Sequence, residues 1–285
     1  MVNYNPKDWF GLIFKFHKSD TFRKLFWVII CLMGYSFIMA YLEIEVWQLH
    51  FKTSSALHSI LGFVLSILLV FRTNTAYDRW WEARKYWGAL INNTRSLQIK
   101  LGGLLKDKTN TQYIELLEWM KVYPRVLALH LRGKSIDDSR IPKHVHGPNY
   151  VVTKITNAVL KLKEEGLLSD THLLWINTEL YGYSDICGAC ERIKNTPIPY
   201  SYSLFLKKFI FIYIITMPYG FIKEFEYGIV LVVSFVFYVL ASLELIAEEI
   251  ENPFGEEAND LDLDSMADKI EQTITEFTSL ESSSN

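Results

Sequence analysis

Residues 56–71 (ALHSILGFVLSILLVF) carry no formal charge and run without a break into residues 72–84 (RTNTAYDRWWEAR). No proline interrupts the chain between residues 56 and 97, and this length predicts one helix of about 63 Å. The hydrocarbon core of a bilayer is only about 30 Å thick, so half of such a helix must stand in water. The sequence therefore predicts a helix that leaves a membrane and continues into an aqueous domain.

One face of the membrane half of this helix carries three large apolar side chains. Phe63, Ile67 and Phe71 recur every four residues, with the small residues Gly62 and Ser66 beside them. Residues four apart share a face of a helix, so these three form one stripe. Two interpretations remain open at this point. The stripe either lines a pathway or is ordinary packing surface on a helix that is apolar on every side.

Three further apolar segments have the character of membrane spans. Residues 25–42 are uncharged, and residues 209–222 and 227–243 are separated by only four residues, which predicts a helical hairpin. The segment 56–71 is short for a span, and Arg72 at its end is expected to snorkel toward water. The sequence therefore predicts four transmembrane helices.

Positive residues flank the predicted spans on one side of the membrane. Arg23 and Lys24 precede the first span, Arg72 follows the second, and Lys207 and Lys208 precede the third. Loops rich in Lys and Arg stay in the cytoplasm. With four spans both chain ends lie on that same side. We therefore expect a multi-pass protein of the cell (inner) membrane with both termini in the cytoplasm.

The residues between the second and third spans show helical rather than strand patterning. Gly102 and Gly103 are expected to end the long helix, and Pro124 is expected to kink or break a helix over residues 113–131. The tail from Thr278 onward has no apolar face and is expected to be disordered. The predicted fold class is all-α, with these divisions: 1–71, N-terminal segment and spans 1 and 2; 72–202, helical cytoplasmic domain; 203–250, spans 3 and 4; 251–285, acidic cytoplasmic segment.

Composition and motifs exclude several classes of function. The net charge of −3 provides no basic surplus for nucleic acid. There is no phosphate-binding glycine loop, nucleophile elbow or zinc-protease motif, so we predict no enzyme and no catalytic residues. No acidic or basic residue lies in the middle of a span, which argues against proton-coupled transport. His144 and His146 lack a third ligand in the sequence, and no metal site is predicted.

An acidic segment after the fourth span partly matches a calcium-binding loop. Asp260, Asp262, Asp264 and Glu271 fall at its first, third, fifth and twelfth positions. Ser265, however, stands where the sharp turn of such a loop requires glycine. The three aspartates are therefore a possible weak cation site, with a solvated acidic turn or a salt-bridged strand as the alternative. No cofactor is predicted, and calcium is left undecided.

Three blocks taken together resemble the bestrophin family of pentameric ion channels. They are Arg79-Trp-Trp81 after the second span, CERI and TPIP at residues 190–193 and 196–199 before the third, and ENPFG followed by NDL at residues 251–255 and 259–261 after the fourth. The resemblance covers most of the chain, and the blocks occur in the family's order.

The resemblance implies a homopentamer around a central pore in a lipid bilayer, with permeant inorganic ions as its other partners. It places Phe63, Ile67 and Phe71 in a narrow apolar neck and Ile198 at a second, cytoplasmic aperture. Animal members conduct chloride and bind calcium through an almost unbroken aspartate run. Here that run reads EEAND at residues 256–260, which puts calcium gating in doubt.

The resemblance implies a chloride or other anion channel, and three alternatives stay open. A monovalent cation (sodium) channel of the same fold is one, because an apolar neck carries no charged ring that sets the sign of the ion. A non-conducting membrane scaffold and a lipid- or quinone-handling enzyme are the others.

Overall fold

The computed structural model describes residues 20–47 and 55–283, and within these ranges every regular element is a helix. The predicted all-α fold class is confirmed. The described α-helices are α1 Asp20–Tyr41, α2 Ser55–Leu104, α3 Thr111–Arg132, α4 Gly147–Glu164, α5 Asp170–Asn195, α6 Tyr200–Phe225, α7 Ile229–Glu251 and α8 Leu263–Ser283. A π-helical turn, Leu42–Trp47, extends α1, and a 3₁₀ turn, Glu226–Gly228, joins α6 to α7.

Three helical runs are long and apolar enough to cross a membrane. They are Thr21–Trp47, Ala56–Leu104 and Tyr200–Glu251. The third run contains α6 and α7, whose 26 and 23 residues correspond to about 39 and 35 Å. Each of these two helices therefore has the length that one bilayer crossing requires.

The helices group into two compact units. The first, called the membrane unit here, contains α1, α2 as far as Arg79, α6 and α7. The second, called the aqueous unit, contains α2 from Trp80 onward, α3, α4, α5 and α8. Helix α2 belongs to both because it runs without interruption through Arg79 and Trp80.

The aqueous unit has its own apolar core. Trp87, Leu90 and Leu97 of α2 are fully buried in it. The buried Tyr123 hydroxyl donates to the Tyr183 carbonyl at 2.7 Å, and the Tyr183 hydroxyl lies 3.1 Å from that of Thr94. These bonds satisfy polar groups that burial would otherwise leave without partners.

Helix α2 ends at Leu104, directly after Gly102 and Gly103, close to the predicted end. Helix α3 continues through Pro124, so the proline does not break it despite the missing N–H. One predicted boundary needs correction. The segment from Thr278, predicted to be disordered, is helical to Ser283. Residues 284 and 285 lie outside the described residues. Helix α8 forms because Leu263, Ala267, Ile270 and Ile274 bury one face against the core of the aqueous unit.

Candidate functional site

The stripe of α2 faces away from the core of the membrane unit. Phe63, Ile67 and Phe71 are 67%, 40% and 61% exposed, whereas Leu65 and Leu69 are 0% and 2% exposed. A helix turns 100° per residue, so Leu65 points about 200° away from Phe63. The three predicted neck residues therefore share a face that the single chain leaves uncovered.

Exposure alone does not distinguish a pore face from a lipid face. Ile60, Val64 and Val70 on the neighbouring parts of α2 are also exposed. The exposed surface of α2 is therefore wide and apolar. Different parts of it can contact lipid, pack against a second copy of the chain or line a pathway. The stripe is the part centred opposite the packed side.

The packed side of α2 is fixed against α6. Leu65 and Leu69 lie in the core of the membrane unit with residues of α6, and the Tyr202 hydroxyl donates to the carbonyl oxygen of Leu68 at 3.1 Å. A side chain on Gly62 would place its Cβ 2.7 Å from the Tyr213 hydroxyl oxygen. Any larger residue at this position would therefore force the Tyr213 ring to shift, and glycine leaves the room that this ring occupies against α2.

Arg72, one residue beyond the stripe, does not snorkel into solvent. Its side chain is only 1% exposed, and Nη2 lies 2.7 Å from Oε2 of Glu251. Its Nε lies 3.5 Å from a carboxylate oxygen of Glu244, which is also buried. The expectation of a snorkelling arginine is therefore wrong. Glu244 and Glu251, in the last two turns of α7, compensate the buried positive charge of Arg72 in place of water.

The Glu251 carboxylate also holds the predicted aperture residue. Its Oε1 accepts a hydrogen bond from the backbone N–H of Ile198 at 2.7 Å. The backbone carbonyl of Glu251 accepts a second bond from Arg79 Nε at 3.1 Å. Glu251 therefore connects Arg72, which follows the stripe, with Ile198, which is half-buried in the short segment that precedes α6 in the chain.

Two more acidic residues of α7 are paired with cations from other helices of the membrane unit. Lys24 of α1 donates to Glu249 at 3.1 Å, and Lys207 of α6 donates to Glu248 at 3.0 Å. The start of α1, the start of α6 and the end of α7 therefore lie at the same end of this unit.

The three aspartates of the possible cation site make separate local contacts. Asp260 accepts the N–H of Glu257 at 2.7 Å, and Asp262 accepts the N–H of Ser265 at 3.1 Å. Asp264 forms an ion pair with Arg132 at 2.9 Å. The hydrogen bond from Arg132 lowers the pKa of Asp264, although partial burial opposes the shift. Among the described residues, the ligand atoms that lie close enough together to hold a metal ion belong to His130, His146 and Glu191, and not to these aspartates.

Parts of the three sequence blocks of the resemblance lie in the aqueous unit, where two side-chain contacts involve them. The indole N–H of Trp80 donates to the carbonyl oxygen of Asn259 at 3.0 Å, joining the first block to the third. Arg192 of the second block donates to Glu82 at 2.9 Å, directly after the first block. The first and third blocks are thus in direct contact, and the second block contacts the residue that follows the first. The three helical runs that are long and apolar enough to cross a bilayer indicate a membrane protein.

Comparison with known proteins gives the family. The family model described as bacterial/fungal bestrophin protein matches residues 1–276. A voltage-dependent anion channel-forming protein of Nostoc sp. is 33% identical, with 96% of this chain and 93% of that protein covered. The protein of the same description from Escherichia coli O157:H7, YneE, is 31% identical, with 84% and 83% covered.

Solved structures agree with this result. A bacterial bestrophin homologue from Klebsiella pneumoniae superposes with a TM-score of 0.82 at 26% identity, covering 90% of this chain and 98% of that one. The chain belongs to the bestrophin family of ion channels, and the resemblance drawn from its three sequence blocks is confirmed.

Proposed function

We propose that the chain forms a homopentameric channel that passes monovalent anions through an apolar neck. In this proposal Phe63, Ile67 and Phe71 from five copies of α2 make three stacked rings, and Ile198 makes a second constriction at the cytoplasmic aperture. The observation that carries the proposal is the exposure of the whole stripe opposite the packed face of α2, in a chain that belongs to the bestrophin family.

The single chain is not suited to enclose a pathway by itself. The packed side of α2 is occupied by its own unit, and its open side is apolar. Cyclic repetition brings one open face per subunit around a common axis. The number five is taken from the family to which the chain belongs.

The choice of anions rests on the relatives, which are named as voltage-dependent anion channel-forming proteins. The proposed neck contributes no formal charge, so it restricts flow by width and by dewetting rather than by the sign of the ion. A sodium-conducting channel of the same fold and a non-conducting scaffold are therefore the outcomes that an experiment must separate from anion conduction.

The proposed orientation puts both termini in the cytoplasm of a cell with the chain in its inner membrane. It is supported by the shared end of α1, α6 and α7, where Lys24 and Lys207 meet acidic residues of α7. Residues 72–202 and 251–285 then form the cytoplasmic part. Conduction is proposed to need no cofactor and no calcium, because the aspartates after Glu257 make separate local contacts.

Chloride efflux from liposomes that contain only the purified chain tests the proposal. Efflux above that of empty liposomes supports a channel. A scaffold would pass no ions, and neither would a lipid- or quinone-handling enzyme.

A further inference from the structure

Three potential metal ligands from three elements of the aqueous unit converge. His130 lies in the last turn of α3, His146 is the N-cap residue of α4, and Glu191 lies in α5. The Nε2 atoms of both histidines lie 2.6 Å from the same carboxylate oxygen, Oε1 of Glu191. One ligand atom from each residue lies within 4.8 Å of the other two. His144, the other histidine of the same loop, is exposed.

We propose that His130, His146 and Glu191 bind one divalent transition-metal ion of the zinc class. Tetrahedral Zn²⁺ with bonds of 2.0–2.1 Å separates its ligand atoms by roughly 3.4 Å. The two nitrogens therefore need to move away from the carboxylate oxygen by less than about 1 Å for an ion to enter between them. Water would fill the fourth position.

The donor atoms determine the class of metal. Two of the three are imidazole nitrogens, which suit zinc, copper, nickel and iron. Calcium and magnesium prefer shells made of oxygen, so this site discriminates against them. It is thus distinct in both place and chemistry from the aspartates at 260, 262 and 264.

The proton on His146 must move when a metal binds. Its Nδ1 accepts the N–H of Asn149 at 3.2 Å, which leaves the proton of a neutral ring on Nε2, facing Glu191. A metal bound at Nε2 takes the place of this proton, so Nδ1 becomes the protonated nitrogen and releases the N–H of Asn149. One long capping hydrogen bond is lost, and three metal–ligand bonds form.

The site can be reached from solvent. The side chains of His130, His146 and Glu191 are 28%, 34% and 29% exposed. His130 also lines a cavity of about 380 Å³ whose wall includes Val145 and Gly147. A bound ion would tie together α3, the start of α4 and α5, next to the pair formed by Arg192 and Glu82.

Binding of Zn²⁺ alone to the full-length chain in detergent tests this proposal. The chain is freed of any polyhistidine tag and stripped with a chelator, and affinity is measured by competition with a chromogenic zinc indicator. Co²⁺ is added in a parallel sample to read its visible absorption. We expect one Zn²⁺ per chain and a Co²⁺ spectrum typical of four-coordinate nitrogen and oxygen ligation.

Three variants decide the assignment. His146→Asn keeps a good N-cap residue but removes the imidazole, and Glu191→Gln removes the charge at similar size. Each should weaken Zn²⁺ binding at least tenfold. His144→Asn is the matched control and should bind like the wild type. The proposal is overturned if the wild type binds no Zn²⁺ at micromolar concentrations or if His146→Asn retains wild-type affinity.

A loss of binding through misfolding is recognised independently. The helical circular dichroism of each variant is compared with that of the wild type. Added Zn²⁺ should raise the melting temperature of the wild type but not that of His146→Asn or Glu191→Gln. The absence of such a shift at saturating Zn²⁺ also counts against the site. None of these readouts depends on ion flux, so the metal site and the channel proposal can fail separately.

Discussion

Oε2 of Glu251 lies 2.7 Å from Nη2 of Arg72, and both side chains are largely shielded from solvent. The other oxygen of the same carboxylate accepts the N–H of Ile198 at 2.7 Å. One side chain thus connects the residue that follows the stripe with the residue proposed for the aperture. Burying an arginine without a partner is costly, so the Arg72–Glu251 pair is expected to be maintained. Through Glu251 it fixes the end of the stripe and Ile198 relative to each other.

Glu251→Gln should destabilise the protein strongly. The variant keeps an acceptor for Ile198 but leaves the buried Arg72 with only the 3.5 Å contact to Glu244. Breaking one partner of a buried ion pair costs about 3–5 kcal/mol. Thermal unfolding of the detergent-solubilised protein should therefore occur at a lower temperature.

Lys207→Gln is the control for this variant. It removes a partner of Glu248 in a pair whose two side chains are about half exposed, and such pairs contribute about 0–1 kcal/mol. If Glu251→Gln and Lys207→Gln unfold at the same temperature, Arg72 is compensated in some other way.

Alanine at Phe63, Ile67 or Phe71 should increase ion flux. Each truncation removes bulk from one proposed ring and makes it easier for water to enter the neck. No charge changes, so the sign of the permeant ion should be retained. Flux is measured in liposomes that contain equal amounts of each variant.

Leu65→Ala and Leu69→Ala are matched controls on the same helix. Both leucines are buried against α6, so their truncation should reduce stability by about 2–5 kcal/mol without raising the flux per folded channel. If they raise conductance as much as the stripe variants do, the stripe is ordinary helix surface.

The solubilised particle should have the mass of five chains. A pathway made of five identical faces requires this stoichiometry. Light scattering with detergent correction, or native mass spectrometry, measures it. A monomer or dimer as the sole species would remove the basis for three stacked rings.

Conduction should persist in a calcium chelator. Asp260, Asp262 and Asp264 are each used in a separate local contact, and Ser265 stands where a calcium loop needs glycine. Single-channel recording before and after chelation tests this. Current that disappears with chelator and returns with micromolar calcium would identify the acidic segment as a real site.

Local periodicity carried much of the prediction. The charge-free stretch at 56–71 and the absence of proline predicted the long helix α2, and the four-residue spacing predicted that Phe63, Ile67 and Phe71 share a face. Helix α7 likewise ends at Glu251, directly before Asn252-Pro253, because the residue before proline is disfavoured in a helix. These features depend only on residues close together in the chain.

Contacts between distant residues were not predictable in this way. Arg72 was expected to reach water because its partner, Glu251, lies in another helix. His146 lacked a third ligand in the sequence because Glu191 is 45 residues away on α5. Helix α8 was missed for a different reason: its acidic surface obscured the apolar positions Ala267, Ile270 and Ile274, which do follow helical spacing.

The reversal potential in a sodium chloride gradient tests the central claim most directly. Wild-type protein is reconstituted into a planar bilayer with different salt concentrations on the two sides, and the voltage of zero current is measured. The proposed anion channel predicts a reversal potential close to the chloride equilibrium potential. A value close to the sodium equilibrium potential would contradict anion conduction, and the absence of any current would contradict the channel itself.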